Sequence, residues 1–442
     1  MICPPLALER AEFHRIRRLR ATQKTHVRPV DLALTLNPKK LSRDEPLDCW
    51  YPYYAGFSLQ FARRIISQAT IPRGGLILDP WVGSGTTACA ASLSGHRSIG
   101  IDLNPFAILL TRAKLTSRHR GPILVGRAAE ITRRAERCQV TPDNDDCLSD
   151  WLTAAAANAF RAVREEIVGS EQRHHLQDID AETSFLLVAL IDALRGLVAR
   201  DRVSNPTWTK VGVRPGVRRK AVFEAFRTCV AKLASQLELN EGDGDAHQII
   251  LGDSRNLPVR DKSINLVLGS PPYCTRIDYA VTTRLELALL VKDSAEFAHL
   301  RQTMMGTTTI RAPWTTTIPA AWPDSLGSVL RKIQVHPSHR SEGYYFRNLL
   351  QYFSDATASI AELARVLKAP GHAYLVLQTS YYKDVLIDLP ELFCEIARSV
   401  GLDARTFCSV PVGRVMATVN SRARRYVDTR TYHESVILLS TR

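Results

Sequence analysis

Apolar residues along this chain fall into two patterns. Short unbroken runs that stop at Gly, Pro or an acid read as buried strands. The first is Leu76-Ile77-Leu78-Asp79 and the second Ser98-Ile99-Gly100-Ile101-Asp102. Gln248-Ile249-Ile250-Leu251 and Ile264-Asn265-Leu266-Val267-Leu268 follow, then Ala373 to Leu377, Thr406 to Val410 and Ser435 to Leu439. Between them the apolar positions recur with helical spacing. Leu59 to Gln68 places Phe61, Ile65 and Ile66 on one face, with Ser58 as N-cap. Ala88 to Leu93 is Ala-rich, and another helix starts near Pro105, a favourable first-turn residue. Tyr344 to Leu367 and Leu389 to Ser399 complete the set. The first strand–helix–strand unit is close to minimal length, which predicts parallel strands and a right-handed crossover. The last two strands have no helical pattern between them and should pair antiparallel. The pattern predicts an α/β fold with seven strands, six alternating with helices and the seventh returning as a hairpin.

The alternation is interrupted from about Ser117 to Ala246. Trp151 to Val168, Thr183 to Arg200 and Lys220 to Leu239 all read as helices, and the middle one is apolar on most sides, so it should be buried. This predicts a helical insertion, residues 117–246, carrying an ordered basic loop from Arg202 to Gly216. The expected organisation is a basic N-terminal arm (1–50), a first half of the α/β core (51–116), the insertion, and a second half (247–442). Residues 296–342 read as less regular.

Charge changes the picture more than composition does. The 442 residues are 45% apolar, ordinary for a globular protein, but carry a net charge of +14. A chain this basic suits a polyanion, above all nucleic acid. The charge clusters at His14–Arg20, at Arg218-Arg219-Lys220 and at Arg422–Arg425. Nine scattered cysteines with no Cys-x-x-Cys pair predict reduced thiols and no metal site. The absence of a long apolar run and of a secretory signal predicts a cytoplasmic protein without a membrane span.

The chemistry gathers at strand ends. Asp79, Asp102 and Asp253 end the first three strands, and the fourth runs into Gly269-Ser270-Pro271-Pro272-Tyr273. All four should therefore meet at the carboxyl edge of the sheet, where open α/β sheets bind ligands. Gly83-Ser84-Gly85 lies between a strand end and a helix start, where the backbone can approach a ligand closely. It lacks the lysine and the third glycine of phosphate cradles, and carboxylates around it favour a cationic or neutral nucleoside. Asp102 is placed to accept from both hydroxyls of a ribose. The two prolines make a rigid corner that offers a hydroxyl, carbonyls and an aromatic face, groups able to hold a planar ring bearing an amine.

Asp79-Pro80-x-x-Gly83-x-Gly85-Thr86-Thr87 together with Ser270-Pro271-Pro272-Tyr273 resembles the S-adenosylmethionine-dependent amino-methyltransferases of DNA. The Ser-Pro-Pro-Tyr form is typical of their cytosine-N4 members; adenine-N6 members more often carry Asp or Asn first. Tyr51 to Arg64 resembles the family's cofactor-closing motif and Ile101 to Pro105 its ribose-binding motif. The resemblance implies a Rossmann-like methyltransferase sheet of six parallel strands and one antiparallel. It implies S-adenosyl-L-methionine as cofactor. Phe57 would pack its methionine part, and Asp79, Gly83, Ser84, Gly85, Thr86 and Thr87 would surround its amino-acid end. Asp102 would hold the ribose, Leu103 the adenine face, and Asp253 the adenine amine. Ser270 and the carbonyl of Pro271 would orient the target amine, Pro272 would complete the corner, and Tyr273 would stack on the base. The partner implied is duplex DNA with the base flipped out, and a cognate restriction endonuclease is a further implied partner. Adenine-N6 methylation, RNA or tRNA base methylation, and a non-catalytic nucleic-acid-binding subunit remain alternatives. Target recognition is expected from the Arg202–Arg219 loop, from 296–342 or from 412–430; Trp208 and Trp314 are candidate wedges or stacking faces, with core packing the favoured reading for both; Arg276 and Asp278 contact the target strand or cap the next helix. Cys274 reads as loop packing rather than a nucleophile.

Overall fold

The structure is a computed structural model describing residues 37, 38, 47, 50–53, 56–138, 146–169, 179–198, 214–237, 246–274, 278–291, 293–313, 316–412 and 430–441. Its centre is a seven-stranded sheet. β1 (Leu76–Asp79), β2 (Arg97–Asp102), β3 (His247–Leu251) and β4 (Ile264–Gly269) are followed by β5 (Leu367–Gln378). A ribbon of β6 (Ser380–Tyr382) and β7 (Val385–Ile387) intervenes before β8 (Asp403–Val412) and β9 (Tyr432–Ser440). The order across the sheet is β3-β2-β1-β4-β5-β9-β8. β1 to β5 pair in parallel, whereas β9 runs antiparallel to both β5 and β8. The sheet is therefore six parallel strands and one antiparallel, as the pattern predicts.

Strand alternation sorts the core into two faces. Ile77, Leu266 and Leu268 pack with α1 (Leu59–Gln68) and α2 (Thr86–Leu93). Leu78 and Val267 face the other way, against α12 (Phe346–Val366) and α13 (Leu389–Ser399). Local signals set the helix ends. Ser58 Oγ accepts from Phe61 N, and Asn104 Oδ1 caps α3 (Pro105–Lys114) one residue before its proline.

The segment between α3 and β3 is helical over α4 (Gly121–Ala135), α5 (Ala154–Val168), α6 (Ala181–Leu197) and α7 (Arg219–Ser235). Leu124, Ala128, Ile131 and Ala135 give α4 a buried face at helical spacing, a helix beyond the three expected in this segment. In α6 every residue from Thr183 to Ile191 is buried. These helices share one core with Phe106 and Leu109 of α3 and with α9 (Arg284–Leu290), so they pack directly on the layer that carries the sheet's second crossover. A further departure lies in the stretch expected to be irregular. It contains most of α10 (Ser294–Thr303) and all of α11 (Asp324–Gln334), where Leu326, Leu330 and Ile333 are buried at helical spacing among prolines and threonines.

A buried ion pair ties these parts together. Arg195 of α6 bonds Glu286 of α9, which is 1% exposed, and Tyr51 donates to the same carboxylate oxygen at 3.0 Å. Removing one partner strands the other charge away from water. Arg195→Met should therefore lower unfolding free energy by about 3 kcal/mol in denaturant titration. An unchanged transition midpoint would show that Glu286 is not held by this pair.

Candidate active site

The cavity lies at the carboxyl edge, at the point where strand order reverses between β1 and β4. From the first half of the core it is lined by Tyr53, Pro80, Trp81, Gly83, Asp102, Leu103 and Asn104. The second half contributes Gly252, Ser254, Ser270, Pro272, Tyr279, Met304 and Met305. Asp102, Gly83 and Leu103 thus meet Ser270 and Pro272, as the strand-end argument requires.

Asp102 is built into the glycine loop. One carboxylate oxygen accepts from Gly83 N at 3.0 Å and the other from Asn104 N at 2.9 Å. Burial raises its pKa to about 6 against the pull of those N–H groups. Gly85 opens α2 at φ +82°, and a Cβ there would stand 2.8 Å from Thr111, so the turn needs glycine. Thr87 donates to Leu268 O at 3.0 Å, fastening α2 to the strand that ends in the proline corner.

The corner is held from three sides. Ser270 Oγ donates to Val376 O of β5 at 2.9 Å. Its side chain also meets the Tyr273 phenol, and the hydroxyl oxygen keeps acceptor capacity for a ligand. Pro272 O accepts from Tyr352 of α12 at 2.8 Å. Tyr273 Oη donates to Glu434 of β9 at 3.0 Å. Gly269 permits the close approach behind the corner: a Cβ would lie 2.7 Å from the Asp79 carboxylate.

Several expected residues stand behind the cavity wall rather than on it. Asp79 is 2% exposed, accepts from Trp81 N at 3.1 Å, and burial pushes its pKa up to about 7. It braces the junction between glycine loop and corner. Asp253 is chelated by Arg255, whose Nε reaches both carboxylate oxygens at 2.9 and 3.0 Å. Arg255 also bonds Asp355 and the carbonyl of Thr303. Its neighbours Gly252 and Ser254 line the cavity in its place. Phe57 is buried and packs edge-on against Phe61. Ser84, Gly85, Thr86, Thr87 and Pro271 surround the loop and corner without lining the cavity. Tyr273 is buried as well, 3% exposed.

Other readings are settled locally. Asp278 caps the short helix α8 (Tyr279–Thr282), accepting from Val281 N at 3.1 Å. Burial raises the Cys274 thiol to about 12, so it is no thiolate for attack on a ring carbon. In the basic patch at 218–220, Arg219 is spent on the carbonyls of Ala135 and Cys138. The patches at 14–20 and 422–425, Trp208, Arg276, Trp314 and most of the loops at 202–216 and 412–430 lie outside the described residues. Among the described residues no cluster of His, Cys, Asp or Glu is placed to hold a metal ion, and no helix is long and apolar enough to cross a membrane.

Comparison with known proteins places this geometry. Residues 23–112, which span the aromatic lead-in loop, the glycine loop and Asp102, match the N6/N4 family described as DNA methylase. Over that stretch the chain is similar to the N6/N4 amino-methyltransferases of DNA. It is 24% identical over 320 residues to the Type II methyltransferase M.BsoBI of Geobacillus stearothermophilus, covering 65% of this chain and 62% of that protein. It is 22% identical over 418 residues to the Type II methyltransferase M.AvaI of Nostoc, covering 84% of this chain and 82% of the relative. A shorter match, 35% identical over 85 residues, is to the Type II methyltransferase M.MjaII of Methanocaldococcus jannaschii, covering 19% of this chain.

The amino-methyltransferase family uses S-adenosylmethionine, and the cavity suits it. Among the described residues no lysine, arginine or histidine lines the wall, and the one carboxylate on it, Asp102, suits a cationic nucleoside and disfavours a phosphate. Tyr53, Leu103 and Met304 supply apolar contact for a purine. The pKa of Asp102 sets an expected pH response. Hydroxyls donate to the ionised form, so affinity should rise with pH through about 6 and be about tenfold weaker at pH 5 than at pH 8, read by calorimetry. Stability of the free protein should run the other way. Raised carboxyl pKa values at Asp102 and Asp79 favour folding below the unfolded-state pKa, and that contribution is lost as pH rises through about 6 and about 7. Flat affinity across this range would show that Asp102 does not meet the ligand.

Proposed function

We propose that this protein transfers a methyl group from S-adenosylmethionine to the exocyclic N4 amine of cytosine in DNA, as a site-specific Type II methyltransferase. The observation that carries this is Ser270, whose hydroxyl proton is spent on Val376 O at the wall of the cavity that Asp102 also lines. A hydroxyl so oriented is an acceptor. It accepts from an amine, draws the nitrogen toward tetrahedral geometry and frees its lone pair. The cofactor supplies an activated methyl on a sulfonium sulfur. The chain's own part is to hold the ribose at Asp102, seat the adenine by Leu103, and keep the amine close and oriented. No covalent enzyme intermediate is involved, in keeping with the buried, protonated Cys274.

Serine at the first position of the corner supports cytosine over adenine, since adenine-N6 members of the family more often carry Asp or Asn there. A base inside a duplex cannot reach a corner at this depth, so the target rotates out of the stack. The +14 net charge supports a DNA partner, and the relatives' Type II names support a cognate restriction endonuclease. Recognition falls to residues 296–342 and 412–430, and the described helices of 117–246 share a core with α3 and α9.

The test is incubation with duplex DNA and labelled S-adenosylmethionine, followed by mass spectrometry of the released nucleosides. N4-methylcytosine is expected. N6-methyladenine alone would move the assignment to adenine, and an absence of methylated nucleosides would overturn the enzyme reading.

A further inference from the structure

Met304 and Met305 are both buried and both line the cavity, and the turn that carries them has a built anchor. Thr307 N donates to Met304 O at 3.3 Å, closing a four-residue turn whose third residue, Gly306, has φ +77°. Glycine is favoured at such a position. A Cβ on Gly306 would stand 3.3 Å from Tyr273 O and 3.6 Å from Pro272 Cβ, so the turn lies directly against the proline corner. Its other side reaches the end of β3. Arg255 Nη2 donates to Thr303 O, immediately before the turn, at 2.8 Å.

Arg255 is a junction. Its Nε reaches both oxygens of Asp253, and its Nη1 donates to Asp355 of α12 at 2.8 Å. Arg311 donates to both oxygens of the same Asp355 carboxylate at 2.6 Å. The two guanidiniums thus hold both ends of the segment 303–311 on one buried acid, 5% exposed. Between those ends α12, with Tyr344 just ahead of it, grips the main chain. Asn348 donates to Thr307 O at 2.8 Å, Tyr344 to Thr308 O at 2.7 Å and Gln351 to Thr309 O at 3.1 Å. Positions 344, 348, 351 and 355 recur at helical spacing and share one face. Their bonds to carbonyls fix the path of the chain, and that path carries the side chains at 304 and 305 to the cavity. Gly252 N, beside Asp253, donates to Asp102 O at 3.0 Å, which puts the Arg255 anchor on the ribose-binding side.

We propose that Arg255 is a positioning residue for the cofactor: by holding Thr303 it seats Met304 against the nucleoside of S-adenosylmethionine. The proposal rests on the amino-methyltransferase function above and names a positioning device of that same site, supplied by a segment the sequence assigns to target recognition.

The test measures S-adenosylmethionine affinity by calorimetry, with thermal melting as the check on folding. Arg255→Met and Met304→Ala should each weaken binding by about tenfold. The double variant should bind no more weakly than the worse of the two, because both changes remove the same contact. Arg255→Lys separates seating from charge balance. An ammonium neutralises Asp253 and Asp355 but lacks the fork that chelates one, bonds the other and reaches Thr303 O at once. This variant should melt near the wild-type temperature and still bind about tenfold more weakly; it also carries the test if Arg255→Met melts early. Wild-type affinity in Arg255→Lys, or losses that multiply to about 100-fold in the double variant, would reduce Arg255 to a structural ion pair and overturn this proposal alone. A wild-type chain that binds no S-adenosylmethionine would overturn the function and this assignment together.

Discussion

Ser270→Ala should slow methyl transfer by about 100-fold while leaving S-adenosylmethionine affinity within experimental error. The hydroxyl hydrogen points to Val376 O at 2.9 Å, so the substitution removes an acceptor already oriented by the sheet. It leaves the Val376 carbonyl short of a donor, a small structural cost beside the loss of a group aimed at the reacting nitrogen. Because Asp102 and the glycine loop lie on other strands, the cofactor should bind as before. Single-turnover transfer measured alongside calorimetry separates the two. An unaltered transfer rate would remove Ser270 from the chemistry.

Asp102→Ala should weaken S-adenosylmethionine binding by about 100-fold or more. Hydrogen bonds to a charged acceptor contribute about 1.5–3 kcal/mol each, and a ribose offers two donors. The variant also deprives Gly83 N and Asn104 N of their acceptor, so the glycine loop and the start of α3 lose their common anchor. Asp102→Asn retains one acceptor oxygen and should recover part of the affinity. Cofactor affinity equal to wild type in the alanine variant would sink the ribose assignment. The two substitutions fail in different ways, one in rate and one in binding, and together they test whether the halves of the site act as the geometry assigns.

Much of this site was legible as a series of strand ends. Asp79, Asp102 and Asp253 each close an apolar run, and the proline corner closes a fourth. Parallel strands deliver their carboxyl ends to one edge. The pattern did not tell which of these acids reaches the cavity. Arg255, two residues beyond Asp253, takes both of its carboxylate oxygens, and Asp79 is sealed behind Gly269. The cavity residues passed over, Tyr53, Asn104, Ser254, Tyr279, Met304 and Met305, come from loops, helix caps and a short helix where no periodicity marks a facing direction. Tyr53 had one signal, its place in the aromatic loop before α1.

The sequence by itself determined the order of the seven sheet strands along the chain, the six-plus-one sheet, and the edge at which ligands bind, because those follow from spacing between near neighbours along the chain. Tertiary structure alone decided which way each group at the corner points. Ser270 is oriented by a carbonyl 106 residues away and Tyr273 by a carboxylate 161 residues away. Each of these groups is set by the distant partner it meets, and a local pattern carries no record of such partners.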